Sequence, residues 1–260
     1  MQDIILKDHV HRAERIDAHT WNITEADLVN CYLLEGDTHA LLIDLGCGAG
    51  DLRSCIGSLT HKTVTFAVTH RHGDHTGGAG EFGFYYADPD DVKLVYDLMC
   101  NTPACRKMIP DNLKVNPKMG RKVKLMPLKK DMKFELGGRT IRTEKIPGHT
   151  KGSVMFIDDD AKLLFVGDAV SRELWMHLPG CTTLKEWLPG AEAVLSYMEK
   201  GYHAYGGHED GIISIEQVKT LITLAKELVV KYENKEKIKV TRWPDEEAEI
   251  AILFDPRHIA

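Results

Sequence analysis

The six residues His70-Arg71-His72-Gly73-Asp74-His75 follow directly on an apolar, β-branched run at residues 64–69 (VTFAVT). Such a run suits a strand buried on both faces, as in parallel sheets covered by helices. A polar cluster where that strand ends lies where a rigid scaffold presents functional groups. His70, His72, Asp74 and His75 are imidazoles and carboxylates, the ligand types that Zn²⁺ and similar borderline cations accept. In an extended segment alternate residues face the same side, so His70 and His72 can grip one ion together. A turn at Gly73 then swings Asp74 and His75 toward a second position. Arg71 and Gly73 read as spacers.

Three polar singletons extend the pattern. His149 stands in Ile146-Pro147-Gly148-His149-Thr150, Asp168 in Val166-Gly167-Asp168, and His208 in Gly206-Gly207-His208. Each follows an apolar run and sits beside glycine, the composition of a strand exit. Singly, any of them is an ordinary turn residue. With the first cluster they amount to five His and two Asp, enough to surround two metal ions with three protein ligands each and one shared carboxylate.

The rest of the chain alternates short apolar runs with turn signals. Residues 30–35 (NCYLLE) and 40–44 (ALLID) read as strands joined by Gly36-Asp37-Thr38. Residues 132–136 and 139–146 flank Gly137-Gly138, and 153–157 and 162–166 flank Asp158-Asp159-Asp160, in the same way. Helical spacing marks residues 49–59, 184–200 and 214–232, with Ser214 as a cap and Gln217 three residues on. Residues 88–99 begin like a helix, with Pro89 in the first turn. Residues 101–116 read as a polar excursion, and 238–242 and 249–254 as two further strands. The expectation is an α/β (α+β) fold, a sheet-on-sheet core with helices outside, in one domain over residues 1–260.

Composition narrows the function. The chain has 260 residues, 43% hydrophobic and 28% charged, with 33 Lys+Arg against 39 Asp+Glu and a net charge of −6. That balance disfavours a nucleic-acid partner, which needs clustered cations. No window suits a membrane span, and Met1-Gln2-Asp3 lacks a basic, apolar leader, so a cytoplasmic location is expected. The six cysteines, Cys100 and Cys105 included, read as reduced thiols that behave as small hydrophobes. His9-x-His11 reads as part of an exposed chain start.

The motif, the three singletons and the turn Asp44-Leu45-Gly46 together resemble the metallo-β-lactamase fold superfamily of metallohydrolases. The resemblance implies a four-layer αβ/βα sandwich of two mixed sheets, with the site in a cleft along one edge. It implies that His70, His72 and His149 hold one metal, that Asp74, His75 and His208 hold a second, and that Asp168 bridges both. Two divalent ions, zinc by ligand type with iron or manganese as alternatives, would then activate a bridging hydroxide. Asp74 would orient that nucleophile or pass a proton to the leaving group.

Within the superfamily, Asp168 with H-x-H-x-D-H looks like the glyoxalase II and lactonase branches rather than a true β-lactamase, and Pro147-Gly148-His149-Thr150-Lys151-Gly152-Ser153 looks like their shared P-G-H-T-x-G-S segment. Asp168-Ala169-Val170-Ser171 lacks the tyrosine that lactonases place there. The expected reaction is hydrolysis of a small carboxylic ester, thioester or lactone. A phosphodiesterase or nuclease of the same fold, or a non-catalytic metal- or metabolite-binding protein, is the alternative. Lys151, Trp175 and His177 are the candidate substrate contacts, the last two from the loop at 171–183. The expected partner is a small-molecule substrate, with neither nucleic acid nor membrane, and a homo-oligomer is allowed.

Overall fold

The structure, a computed structural model, describes residues 4–5, 8–92, 109, 111–119, 121–238 and 240–260. The first sheet opens with β1 (Ile4–Ile5), β2 (His11–Asp17), β3 (Thr20–Glu25), β4 (Val29–Glu35) and β5 (His39–Ile43), each antiparallel to the next. Ala26 and Asp27, both with positive φ of 56° and 55°, turn β3 tightly into β4. Beyond β5 the chain crosses over through helix α1 (Leu52–Leu59) and returns as β6 (Thr63–Ala67), parallel to β5. Asp51 caps α1 by accepting from Ser54 N at 3.0 Å, so the helix starts there rather than at residue 49. The parallel strands β7 (Phe84–Ala87) and β8 (Lys124–Pro127) complete the sheet.

The second sheet contains β9 (Lys133–Glu135), β10 (Thr140–Lys145), β11 (Val154–Asp158) and β12 (Leu163–Gly167) as an antiparallel run. Helix α2 (Gly73–Thr76) is a single turn inside the histidine motif. A short strand β13 (Glu173–Met176) precedes helix α3 (Leu184–Glu199), and β14 (His203–Gly206) then pairs parallel to β12. β15 (Ile212–Ile213) and helix α4 (Ile215–Glu233) follow. Thr183 and Glu186 form a capping box on α3, and Ser214 caps α4 by accepting from Gln217 N at 3.1 Å.

Alternation along the strands builds the layers. Leu34, Leu41, Phe156 and Phe165 enter the cluster between the two sheets, joined by Tyr32, whose ring lies 4.8 Å from that of Phe165. Their neighbours Leu33 and Leu42 face α1, and Ile157 and Leu164 face α3 and α4. Burial of the central strands β4, β5, β11 and β12 on both faces thus gives helix, sheet, sheet and helix in succession. The expected sandwich of mixed sheets is observed.

Three expectations need correction, and two strands lie outside those expected. The stretch 171–183 is not wholly loop: β13 pairs with β17 (Ala251–Phe254), which pairs with β16 (Arg242–Trp243), making a third, three-stranded sheet. The strand expected at 238–242 reduces to Arg242–Trp243, and Val240, 43% exposed, has no sheet to bury it. β2 and β3 were not assigned from sequence, because their Arg, Glu, Asp and Thr residues blur the alternation. His11 is not an exposed chain start but is 1% exposed within β2. Beyond Val92, the helix expected from residue 88 lies outside the described residues. So do Cys100, Cys105 and most of 101–116. No helix among the described residues is long and apolar enough to cross a membrane.

Candidate metal centre

The site forms where strand ends from both sheets meet. β6 delivers residues 68–75, while β10, β12 and β14 run in one direction and deliver His149, Asp168 and His208 at one edge. Thr69 O accepts from Val154 N at 2.9 Å, fastening the β6 exit to the second sheet. A Cβ at Gly167 would lie 2.3 Å from Thr69 Oγ1, and its φ is +52°, so only glycine lets the chain pass here into Asp168.

Two groups of donors converge. In the first, His70 Nε2 is 3.1 Å from His72 Nδ1, which is 2.7 Å from His149 Nε2. The second comprises Asp74, His75, Asp168 and His208, with one donor atom from each within 4.8 Å of the others. Asp168 faces both groups. Its Oδ2 lies 3.8 Å from His70 Nε2, 3.6 Å from His149 Nε2 and 3.1 Å from His208 Nε2, and its Oδ1 lies 3.3 Å from His75 Nε2. Asp74 Oδ2 is 3.3 Å from His208 Nε2 and 3.6 Å from His75 Nε2.

The far nitrogen of four imidazoles is anchored. His149 Nδ1 meets Trp175 O at 2.8 Å, His208 Nδ1 meets Leu28 O at 2.6 Å, His75 Nδ1 meets Asp44 Oδ2 at 2.9 Å, and His70 Nδ1 meets Thr69 Oγ1 at 3.1 Å. Carbonyl and carboxylate partners hold a proton on Nδ1 and leave the Nε2 lone pair toward the centre, as outer partners of ligating histidines do. His72 alone turns Nδ1 inward.

The electrostatics separate the groups. Burial holds His70 well below its ordinary value, with His75 adding to it, and burial with His149 pushes His72 down to about 3. Burial lowers His149 as well. The first group is therefore three neutral imidazoles, the form in which histidine ligates. In the second, burial is the largest influence but is outweighed. His75 and His208 hold Asp74 at about 2 and Asp168 well below the carboxylate range. The carboxylates in turn lift His208 to about 12 and His75 well above its usual value. This group requires positive charge at its centre, from protons or from a cation. The buried atoms His75 Nε2 and Asp168 Oδ1 lack any hydrogen-bond partner, and a nitrogen and a carboxylate oxygen placed so fit a metal ion between them.

A profile of the metallo-β-lactamase superfamily matches residues 24–230, a span that contains every one of these donors. The chain belongs to the metallo-β-lactamase superfamily. An atrochrysone carboxyl ACP thioesterase of Cryptosporiopsis sp. (strain 8999) is 27% identical over 186 residues, covering 68% of this chain and 48% of that protein. The thioesterase of the same name from Aspergillus fumigatus is 29% identical over 183 residues, covering 68% and 37%. The chain thus spans about half, or less, of the length of these curated relatives. Among solved structures, a metallo-β-lactamase from Pontibacter korlensis superposes with a TM-score of 0.62 at 18% identity, covering 82% of this chain and 99% of that one. That likeness speaks to the fold.

In this superfamily member a cavity of about 680 Å³ opens over both donor groups, walled by Trp175, Leu178, Ser171, Glu173 and Glu209. Of the three expected substrate contacts, only Trp175 reaches it. Lys151 is exposed, with Nζ 3.7 Å from Asp90 Oδ1, and His177 is exposed beside the Trp175 ring. β13 explains both the presence and the absence: it turns Leu174 and Met176 into the core and Trp175 outward, while His177 lies past its end.

Two residues carry more than their expected share. Arg71 is no spacer. Its buried guanidinium sits 3.7 Å from Asp91 Oδ1 and donates to Pro179 O, and its backbone N–H donates to Asp91 Oδ2 at 3.0 Å. Asp91 also accepts from Thr150 Oγ1 at 2.9 Å and Gly152 N at 3.1 Å. Three segments around the site are tied in this way. Asp44, known from sequence only as part of a turn, accepts from Thr69 N at 2.7 Å besides holding His75. Asp44 has φ +64°, a conformation asparagine tolerates, so Asp44→Asn removes the charge and spares the backbone. It should weaken metal affinity by about 10–100-fold, measured by competition with a chromophoric chelator.

Proposed function

We propose that this chain is a dinuclear metal-dependent hydrolase, one domain over residues 1–260, that cleaves a small carboxylic ester, thioester or lactone. The observation that carries this reading is the convergence of both donor groups on Asp168 at the floor of a cavity walled by Trp175 and Leu178. His70, His72 and His149 would hold one ion, Asp74, His75 and His208 the other, and Asp168 both. Divalent ions there, zinc by ligand type with iron or manganese as alternatives, supply Lewis acidity and make water more acidic.

The chain's own side chains do the rest. The anchored imidazoles cannot swing, so the geometry is set before substrate arrives. Asp74, on the cavity wall, would orient the attacking water or pass a proton to the departing oxygen or sulfur. Trp175 and Leu178 offer an apolar wall to the acyl group. The relatives named as thioesterases support a thioester among the three substrate classes.

The test is turnover of ester, thioester, lactone, β-lactam and phosphodiester substrates before and after chelation. Turnover of the first three classes that is lost with the metal and restored by Zn²⁺ is the expected result. Activity indifferent to chelation, or confined to phosphodiesters, overturns the reading. Trp175→Ala should raise KM about tenfold with kcat little changed, because it removes apolar contact that ground state and transition state share. Its backbone carbonyl, which anchors His149, is retained.

A further inference from the structure

The geometry points to a second, sulfur-containing metal site, distinct from the cleft, in which Asp8, His11 and Cys55 hold one divalent ion. His11 Nδ1 lies 2.5 Å from Asp8 Oδ2, which lies 3.4 Å from Cys55 Sγ, and one donor atom from each residue falls within 4.8 Å of the others. Carboxylate, imidazole and thiol form a set of the kind Zn²⁺ takes, and water completes a tetrahedron on the side where Asp8 is 15% exposed. The side chain of His11 is fully buried, and Cys55 is 4% exposed.

An independent observation lies on the other side of the His11 ring. His11 Nε2 and Glu25 Oε2 are both buried, both without a hydrogen-bond partner, and 3.5 Å apart. Glu25 is steered there: its Oε1 accepts from Ala49 N at 2.6 Å and from Cys47 Sγ at 2.9 Å, leaving Oε2 aimed at the imidazole. An ion on Nδ1 fixes the ring proton on Nε2, pointing at Glu25. A ligating histidine typically hands its other N–H to a carboxylate in this way. The backbone makes room, since a Cβ at Gly50 would lie 2.5 Å from Asp8 Oδ2 and one at Gly46 would lie 1.7 Å from Glu25 Oε2. Val10 N and His11 N hold Asp8 Oδ1, each at 3.1 Å. Metal binding releases the Cys55 thiol proton to solvent. The ion would pin the chain ahead of β2 to α1.

The experiment is a titration of chelator-stripped, reduced protein with Co²⁺, read by absorption. None of the seven cleft donors contains sulfur, so a thiolate-to-Co²⁺ charge-transfer band does not come from them, and its loss in Cys55→Ser separates this site from the other cysteines. The band should appear with about one ion per chain, persist in Asp168→Ala and vanish in Cys55→Ser. If Cys55→Ser does not fold, Asp8→Asn, at the more exposed ligand, should weaken the band's Co²⁺ affinity by about tenfold or more. A Co²⁺-loaded wild type without the band overturns the proposal, as does a band that survives Cys55→Ser or an Asp8→Asn titration identical to wild type. His11 would then be an imidazolium clasped by Asp8 and Glu25.

Discussion

Replacing Asp168 with alanine should lower kcat/KM by about a thousandfold or more and reduce the metal held in the cleft from about two ions to about one or fewer, leaving the ion proposed at Asp8, His11 and Cys55 in place. The size follows from how many groups share this carboxylate. Four imidazoles, those of His70, His75, His149 and His208, lie 3.1–3.8 Å from its oxygens. Losing a partner in the outer shell costs about 10–100-fold, and Asp168 faces the centre itself. Elemental analysis of dialysed protein beside ester and thioester kinetics measures both quantities. Asp168→Asn keeps the shape without the charge and should fail in the same manner. A variant retaining full metal and full turnover would refute the shared-carboxylate arrangement.

The second large effect is expected at Arg71, and in stability. Arg71→Ala strands the carboxylate of Asp91, 1% exposed, without its cation, and breaking a buried pair from one side costs about 3–5 kcal/mol. For a chain of this size that corresponds to a fall in Tm of roughly 10 °C. Activity should fall less than stability, because the variant loses the guanidinium's hold on Pro179 but keeps the backbone N–H of residue 71 and Thr150 Oγ1 on Asp91, which tie the His70–His72 turn to the His149 turn. Differential scanning calorimetry settles the point, with Arg71→Lys expected to recover part of the loss by restoring charge without the planar fork. An unchanged Tm in Arg71→Ala would show the pair to be incidental.

That these seven side chains come together was legible from sequence because they follow apolar runs at strand exits with glycine close by, a pattern the order of residues displays. The layering was legible for the same reason, since Leu33-Leu34, Leu41-Leu42 and Phe156-Ile157 are apolar on consecutive positions and must be covered on both faces. What sequence hid depends on partners far along the chain. Arg71 acquires its meaning from Asp91 and Pro179, and His177 falls outside the cavity because it lies past the end of β13, whose course is set by pairing with the distant β17 in the register Glu173↔Ala251. His11 looked like part of a loose start because β2 alternates weakly, yet Asp8, Glu25 and Cys55 enclose it.

The seam at Thr69 and Gly167 has one more consequence. His70, His72, Asp74 and His75 come from one leaf of the molecule, and His149, Asp168 and His208 come from the other. Cations gripped by both, as proposed above, would act as a clasp across the spine, since ligand binding to the native state alone adds about 2.7 kcal/mol of stability at a hundredfold excess over Kd. Resistance to heat would then track the metal supply of the surroundings, and a cell starved of that metal would lose the folded enzyme as well as its turnover.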